Sequence, residues 1–167
     1  IRRYYKARVD YKKGHTSEDT ISKIEIIMSQ ANIQPKERSV VKPALEKSEE
    51  TDAPAVAIEL PDGRIVTGKT TSLLGASSAA LLNALKALGN INDEIPLISP
   101  NIIEPIQKLK VNSLGNHNPR LHTDEILIAL SISATTNPVS HLALQQLDKL
   151  KDCEAHSTVI LSQVDAN

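Results

Sequence analysis

The chain has no tryptophan and no phenylalanine, and its three tyrosines, Tyr4, Tyr5 and Tyr11, all stand in the opening stretch. Beyond Tyr11 a core has to be built from Ile, Leu, Val and Ala, which excludes an aromatic platform for stacking nucleic-acid bases there. One cysteine, Cys153, excludes an internal disulfide and points to a reducing compartment, so a cytoplasmic location is expected. No apolar run approaches the ~20 residues that cross a bilayer, and Arg2, Arg3 and Lys6 are followed by no apolar stretch such as a secretory signal carries. Charge of either sign is not in excess: 19 basic against 20 acidic residues leave a formal net charge of -1. Neither nucleic acid nor an anionic membrane is therefore expected as a partner.

What is present is enough chain, 167 residues, for one core. Residues 1–14 read as a basic helical tail, with Arg2, Arg3, Lys6, Arg8, Lys12 and Lys13 against Asp10 and with Tyr4, Ala7 and Tyr11 at helical spacing. The first residue is Ile1, and the opening reads as helix interior, so the tail is expected to continue from a larger N-terminal region. Residues 15–167 read as a single globular domain. After Gly14-His15, Thr16 and Ser17 are cap candidates for a helix with Ile21, Ile24, Ile27, Met28 and Ala31 on one face. A further helix is expected from Pro35 to Glu50, interrupted at Pro43.

Ala55–Leu60 and Arg64–Gly68 flank Pro61-Asp62-Gly63, where Asp-Gly supplies the positive φ of a tight turn and predicts a β-hairpin. Leu74, Ser78, Leu81, Leu85 and Leu88 form the stripe of a helix that ends at Gly89, a candidate left-handed cap. Ser99-Pro100, Asn118-Pro119 and Asn137-Pro138 read as three helix starts, the middle one opening a helix through Ile132. Ser157–Ser162 is β-branched enough to add a strand. The fold class expected is α+β, amphipathic helices on a small, mostly antiparallel sheet; a layered α/β arrangement is the alternative.

Three polar clusters carry the chemistry. Gly63–Thr70 satisfies the P-loop pattern of a phosphate-cradling turn, but Arg64, Ile65, Val66 and Thr67 favour extended backbone and Gly63 belongs to the hairpin. A weaker anion site remains at Lys69, Thr70, Thr71 and Ser72, between strand and helix, where backbone amides favour anions; plain capping by Thr71 or Ser72 is the competing reading. The second cluster, Asn116 to Glu125, is the densest in reactive groups. Its His122 and Asp124 are the candidate catalytic residues, while Asn118 and Arg120 are candidate anion ligands, the planar guanidinium gripping a phosphate or carboxylate by two hydrogen bonds. Against this stands a solvated Arg120–Asp124 pair. His117 and His122 lack the spacing of a helical zinc pair, so no metal site is assigned. The third cluster is Glu154-Ala155-His156-Ser157, where adjacent side chains on an extended chain point apart and cannot pair as nucleophile and base. His156 is kept as a candidate ligand that meets the His122 loop in space; a structural histidine hydrogen-bonded to backbone is the competing reading.

Arg2-Arg3-Tyr4-Tyr5, Leu60-Pro61-Asp62-Gly63, Ile65-Val66-Thr67-Gly68-Lys69, Asn118-Pro119-Arg120-Leu121-His122 and Glu154-Ala155-His156-Ser157-Thr158 resemble the domain of unknown function 1846 family of bacterial proteins. The resemblance runs over essentially the whole chain and implies the C-terminal part of such a protein. It further implies a glycine-rich, P-loop-like segment in the N-terminal region, hence nucleotide or phosphate chemistry for the whole. It carries over no catalytic residue and identifies no cofactor. The expected function is an accessory domain of a nucleotide- or phosphate-dependent enzyme. The alternatives are a non-catalytic assembly domain, docking the N-terminal region or forming a homo-oligomer through its tyrosine-bearing helix, and a stand-alone hydrolase using His117, His122 and Asp124.

Overall fold

The structure, a computed structural model, describes residues 1–166. Helices α1 (Arg2–Lys12) and α2 (Glu18–Gln30) form a hairpin, followed by a 3-10 turn at Pro35–Glu37 and α3 (Val41–Thr51). Strands β1 (Ala55–Glu59) and β2 (Ile65–Lys69) come next, then α4 (Ala76–Leu88) and α5 (Pro100–Lys108), which runs into a π-helical turn at Leu109–Ser113. The chain continues through α6 (Thr123–Ser133), α7 (Pro138–Leu144), β3 (Ala155–Ser157) and α8 (Gln163–Ala166). The class is α+β: the sheet has the order β2-β1-β3 with both pairs antiparallel. Among the described residues no helix is long and apolar enough to cross a membrane.

The hairpin forms as its turn chemistry dictates. Gly63 donates its amide to the Leu60 carbonyl at 2.9 Å and takes φ +83°, a value glycine adopts without a Cβ penalty. Pairing then runs in register from Glu59 opposite Ile65 to Ala55 opposite Lys69. Alternation along β1 sends Ala57 to Val40 and Ala44 near and on α3, while Val56 and Ile58 face Ala76 and Ala80 on α4. The lack of aromatics shows here as close approach. A Cβ on Gly68 would lie 2.1 Å from the Ala80 nitrogen, so only glycine lets α4 rest this close on β2. The larger core joins Leu82 and Leu85 of α4 to Ile103 of α5, Leu121, Ile126 and Leu130 around α6, and Ala143 of α7.

Several boundaries differ from the sequence reading, each for a local reason. Pro43 does not interrupt a helix; it lies in the first turn of α3, where its missing N–H has no partner to lose, and the Pro35 turn is a separate piece. Gly89 stays right-handed at φ -84°, and Asn90 takes the left-handed position at φ +54°. Ser99 and Asn137 do cap α5 and α7 by accepting amide hydrogens. Asn118-Pro119 opens no helix. The Asn118 Oδ1 accepts from the Arg120 amide instead, a turn that holds the loop, and α6 starts at Thr123. The last strand covers Ala155–Ser157, not Ser157–Ser162, because Ser157 Oγ bonds the Val159 backbone and bends the chain away from the sheet.

Candidate functional site

Leu121, fully buried, is the anchor from which the site is built. Its backbone pairs with the segment before α4: Leu121 N donates to the Leu73 carbonyl (3.0 Å), and its own carbonyl accepts from Gly75 N (3.2 Å) and Ser78 Oγ (2.9 Å). These bonds bring the Asn118–His122 loop against the N-terminus of α4. Lys110, buried in the π-helical turn, holds the loop from beneath, donating to the Arg120 carbonyl (2.7 Å) and to Glu125 Oε2 (2.8 Å). The same carboxylate oxygen accepts the His122 amide at 2.7 Å, so one ion pair organises both sides of the turn into α6.

A cleft of about 340 Å³ results, with three walls. The first is Pro54, Thr70 and the start of α4, Gly75 to Ser77; the second is Asn118 to His122; the third is the C-terminal segment, Val159 to Ser162 with Asp165. The first hydrogen bond within α4 runs from Ala79 N to the Gly75 carbonyl, so the amides of Ala76, Ser77 and Ser78 precede the ladder as helix-start donors. Arg120 is exposed and lines the cleft, and its Nε donates to the Thr71 carbonyl at 2.6 Å. Among the described residues no carboxylate pairs with it.

His122 is bound through Nδ1 to Asp165 Oδ2 at 2.8 Å, and Asp165 Oδ1 accepts from the Thr123 amide (3.0 Å) and hydroxyl (3.2 Å). Ser162 Oγ donates to Asp165 Oδ2 at 2.9 Å. Burial alone would raise the Asp165 pKa, but the hydrogen bonds from His122, Thr123 and Ser162, with the charge of His122, hold it below the ordinary carboxylate range. A carboxylate on Nδ1 selects the tautomer and leaves Nε2 to meet a ligand or a proton.

Thr70, Asn118, Arg120 and His122 line one cleft, so two of the three polar clusters meet and the third does not. Lys69, Thr71, Ser72 and Asp124 do not line it. Lys69 is exposed at the end of β2; Thr71 Oγ1 accepts from Leu73 and Leu74 amides rather than capping α4, whose cap position is Gly75; and the Ser72 carbonyl accepts from Gln107. Asp124 pairs with neither Arg120 nor His122: it is exposed, and its Oδ1 bonds the Glu125 amide. His156 lies on another face, its ring 4.6 Å from that of Tyr5, so it does not meet the His122 loop. Burial first, then the nearby Arg38 charge, lowers the His156 pKa. Asp165 and Lys110 are the residues that sequence reasoning missed. Asp165 follows three residues after Ser162, the only local hint of a turn that holds a carboxylate in place.

The Gly63–Thr70 stretch is strand and turn, with Gly68 packed on α4, and does not wrap a phosphate as a loop. Among the described residues no group of three or more His, Cys, Asp or Glu is placed to hold a metal ion. Cys153, whose thiol pKa burial pushes up, has none of the activation a nucleophile needs.

Fold and cleft together define an α+β domain with a small cleft between a helix start and an arginine-bearing loop. The chain belongs to the family described as Domain of unknown function DUF1846, C-terminal, whose model matches residues 36–167. It is 50% identical over 167 residues to a UPF0371 protein of Streptococcus uberis, and 49% identical over the same length to UPF0371 proteins of Streptococcus pyogenes serotypes M5 and M3. Each match covers 100% of this chain and 34% of the relative, so the chain spans about a third of the length of the curated relatives it matches.

Proposed function

We propose that this domain is an accessory part of a larger nucleotide- or phosphate-dependent enzyme, contributing an anion-binding cleft to a site completed by the N-terminal region of the family-length protein. The observation that carries the reading is the convergence of Arg120, His122, Asn118 and Thr70 on the N-terminus of α4. Arg120 supplies a planar charged fork, the amides of Ala76 to Ser78 supply fixed dipoles, and His122, oriented by Asp165, holds or delivers a proton at Nε2. Among the described residues the cleft lining has one carboxylate, Asp165, and its charge is engaged by four donors, which leaves the lining favourable to an incoming anion. The span of a third of the relatives' length supports a shared site rather than a stand-alone hydrolase.

The test is calorimetric screening of the family-length protein with inorganic phosphate, pyrophosphate and nucleotides. Binding that saturates and is weakened by Arg120→Ala supports the reading. Turnover by the 167-residue chain alone, or affinity untouched by Arg120→Ala, defeats it.

A further inference from the structure

The helical periodicity of α2 puts Ile21, Ile24, Ile27, Met28 and Ala31 on one face, yet only Met28 is buried. Ile27 is 63% exposed and its neighbour Ile26 58%, and Ile33 just beyond the helix is 40% exposed. The principal packing partner of α2 is α1. Between the two helices lies a groove of about 590 Å³ with an apolar floor of Ala7, Ile24, Ile27, Met28 and Ile33. Arg3, Lys6 and Lys23 stand on its rim against a single acid, Asp10, and Lys6 is already paired with Asp10 at 2.9 Å. The exposed isoleucines leave an unpartnered apolar strip between polar rims, the kind of surface that can take a partner.

Tyr4 and Tyr5 do not provide that surface, and Tyr11, though exposed, is not among the residues that line the groove. Tyr4 is buried, its hydroxyl accepting from Arg8, and Tyr5 packs edge-on against His156, which docks α1 to the body of the domain. The docking face belongs to α2 instead.

We propose that this groove seats a segment of the N-terminal part of the family-length polypeptide, an apolar stretch with acidic flanks. Three observations select this occupant. The family's C-terminal-domain model begins at residue 36, beyond the end of α2 at Gln30, so the helical hairpin lies outside the unit that model defines. The relatives nonetheless match across all 167 residues, hairpin included, and about two thirds of their length lies outside the match. Finally, a two-fold pairing of copies would set the same basic rim against itself, which like-charge repulsion disfavours, whereas an acidic-flanked segment complements it. This inference is independent of the anion cleft, which lies on other elements.

Hydrogen exchange decides the matter. In the family-length protein, at concentrations where it is monomeric, the amides of α2 exchange about tenfold or more slowly than in the 167-residue chain, because opening the helix first requires undocking. Ile27→Asp removes that protection in the family-length protein and leaves the thermal midpoint of the 167-residue chain nearly unchanged. Equal exchange in the two proteins overturns the proposal, as does protection that survives Ile27→Asp. Protection that appears only as concentration rises assigns the groove to a second copy and overturns the occupant named here.

Discussion

Nδ1 of His122 and Oδ2 of Asp165 lie 2.8 Å apart, a contact that joins a helix start to a residue 43 positions further along the chain. With its pKa held low, Asp165 binds fewer protons in the native than in the unfolded state. Its stabilisation is therefore complete above the unfolded value of about 3.9 and is lost as pH falls through the native value. Asp165→Asn is expected to cost about 1–3 kcal/mol at pH 7. Urea denaturation of both proteins at pH 7 and pH 3 checks it: the gap narrows at the lower pH, and an unchanged gap assigns the effect to shape rather than charge.

Lys110 and Glu125 form a pair whose removal on one side leaves the other stranded. Lys110→Met takes away the donor to both Glu125 and the Arg120 carbonyl, and because Lys110 is buried and Glu125 only partly so, a cost of about 1–3 kcal/mol is expected. The same variant loosens residues 118–122, read as faster amide exchange at Leu121 and His122. Destabilisation without loosening of this loop contradicts the role given to Lys110.

Gly68→Ala separates packing from phosphate binding. The added methyl meets the backbone of Ala79 and Ala80 at 2.1 to 2.6 Å, and helix backbone cannot swing aside as a side chain does. A loss of about 3 kcal/mol, at the upper end of overpacking, is expected in chemical denaturation. A folded variant of unchanged stability with weakened phosphate binding would restore the P-loop reading of this stretch.

Arg120→Ala tests the cleft itself. Arg120 is exposed and, among the described residues, its side chain makes one hydrogen bond, to the Thr71 carbonyl, so the fold stays intact while anion binding in the family-length protein weakens by about 1.5–3 kcal/mol. Calorimetry with inorganic phosphate reads this directly, and circular dichroism reports the unchanged fold.

His156 gives a pH signature of the same sign as Asp165 in a higher pH window. Its native pKa is lowered by burial and by Arg38, so the unfolded state binds more protons below the free-histidine value of about 6.5. Stability contributed by this group is full above that value and falls as pH drops toward the native pKa. An NMR titration is expected to place His156 below free histidine, and Arg38→Gln to move it partly back.

How much of this was legible beforehand depends on the range of the interactions. The β-hairpin was, because Asp62-Gly63 writes its turn in adjacent residues, and the caps at Ser99 and Asn137 were, because a side chain reaching two amides ahead is a local event. Asn118-Pro119 carries the same two-residue signal, yet Leu121 is drawn into the core by bonds to Leu73, Gly75 and Ser78, and that pull delays the helix to Thr123. Arg120 and His122 stood out by chemistry alone. Lys110 and Asp165 did not, since a lone lysine between Leu109 and Val111 and an aspartate near the end carry no local sign of a partner until the fold brings Glu125 and His122 to them.

Strand β1 sits between β2, which follows it within ten residues, and β3, whose Ser157 pairs with Val56. On a ribosome the two sides of that strand are completed at different times. The hairpin and α4 have all their residues by Leu88, whereas the second edge of β1 and the cleft wall at Val159 to Asp165 wait for the last residues described. A nascent chain paused in between holds its central strand open along one side for the time that some seventy residues take to emerge, several seconds at about 5–20 residues per second. During that interval the unpaired edge of Val56, Ala57 and Ile58 is a template for the wrong partner.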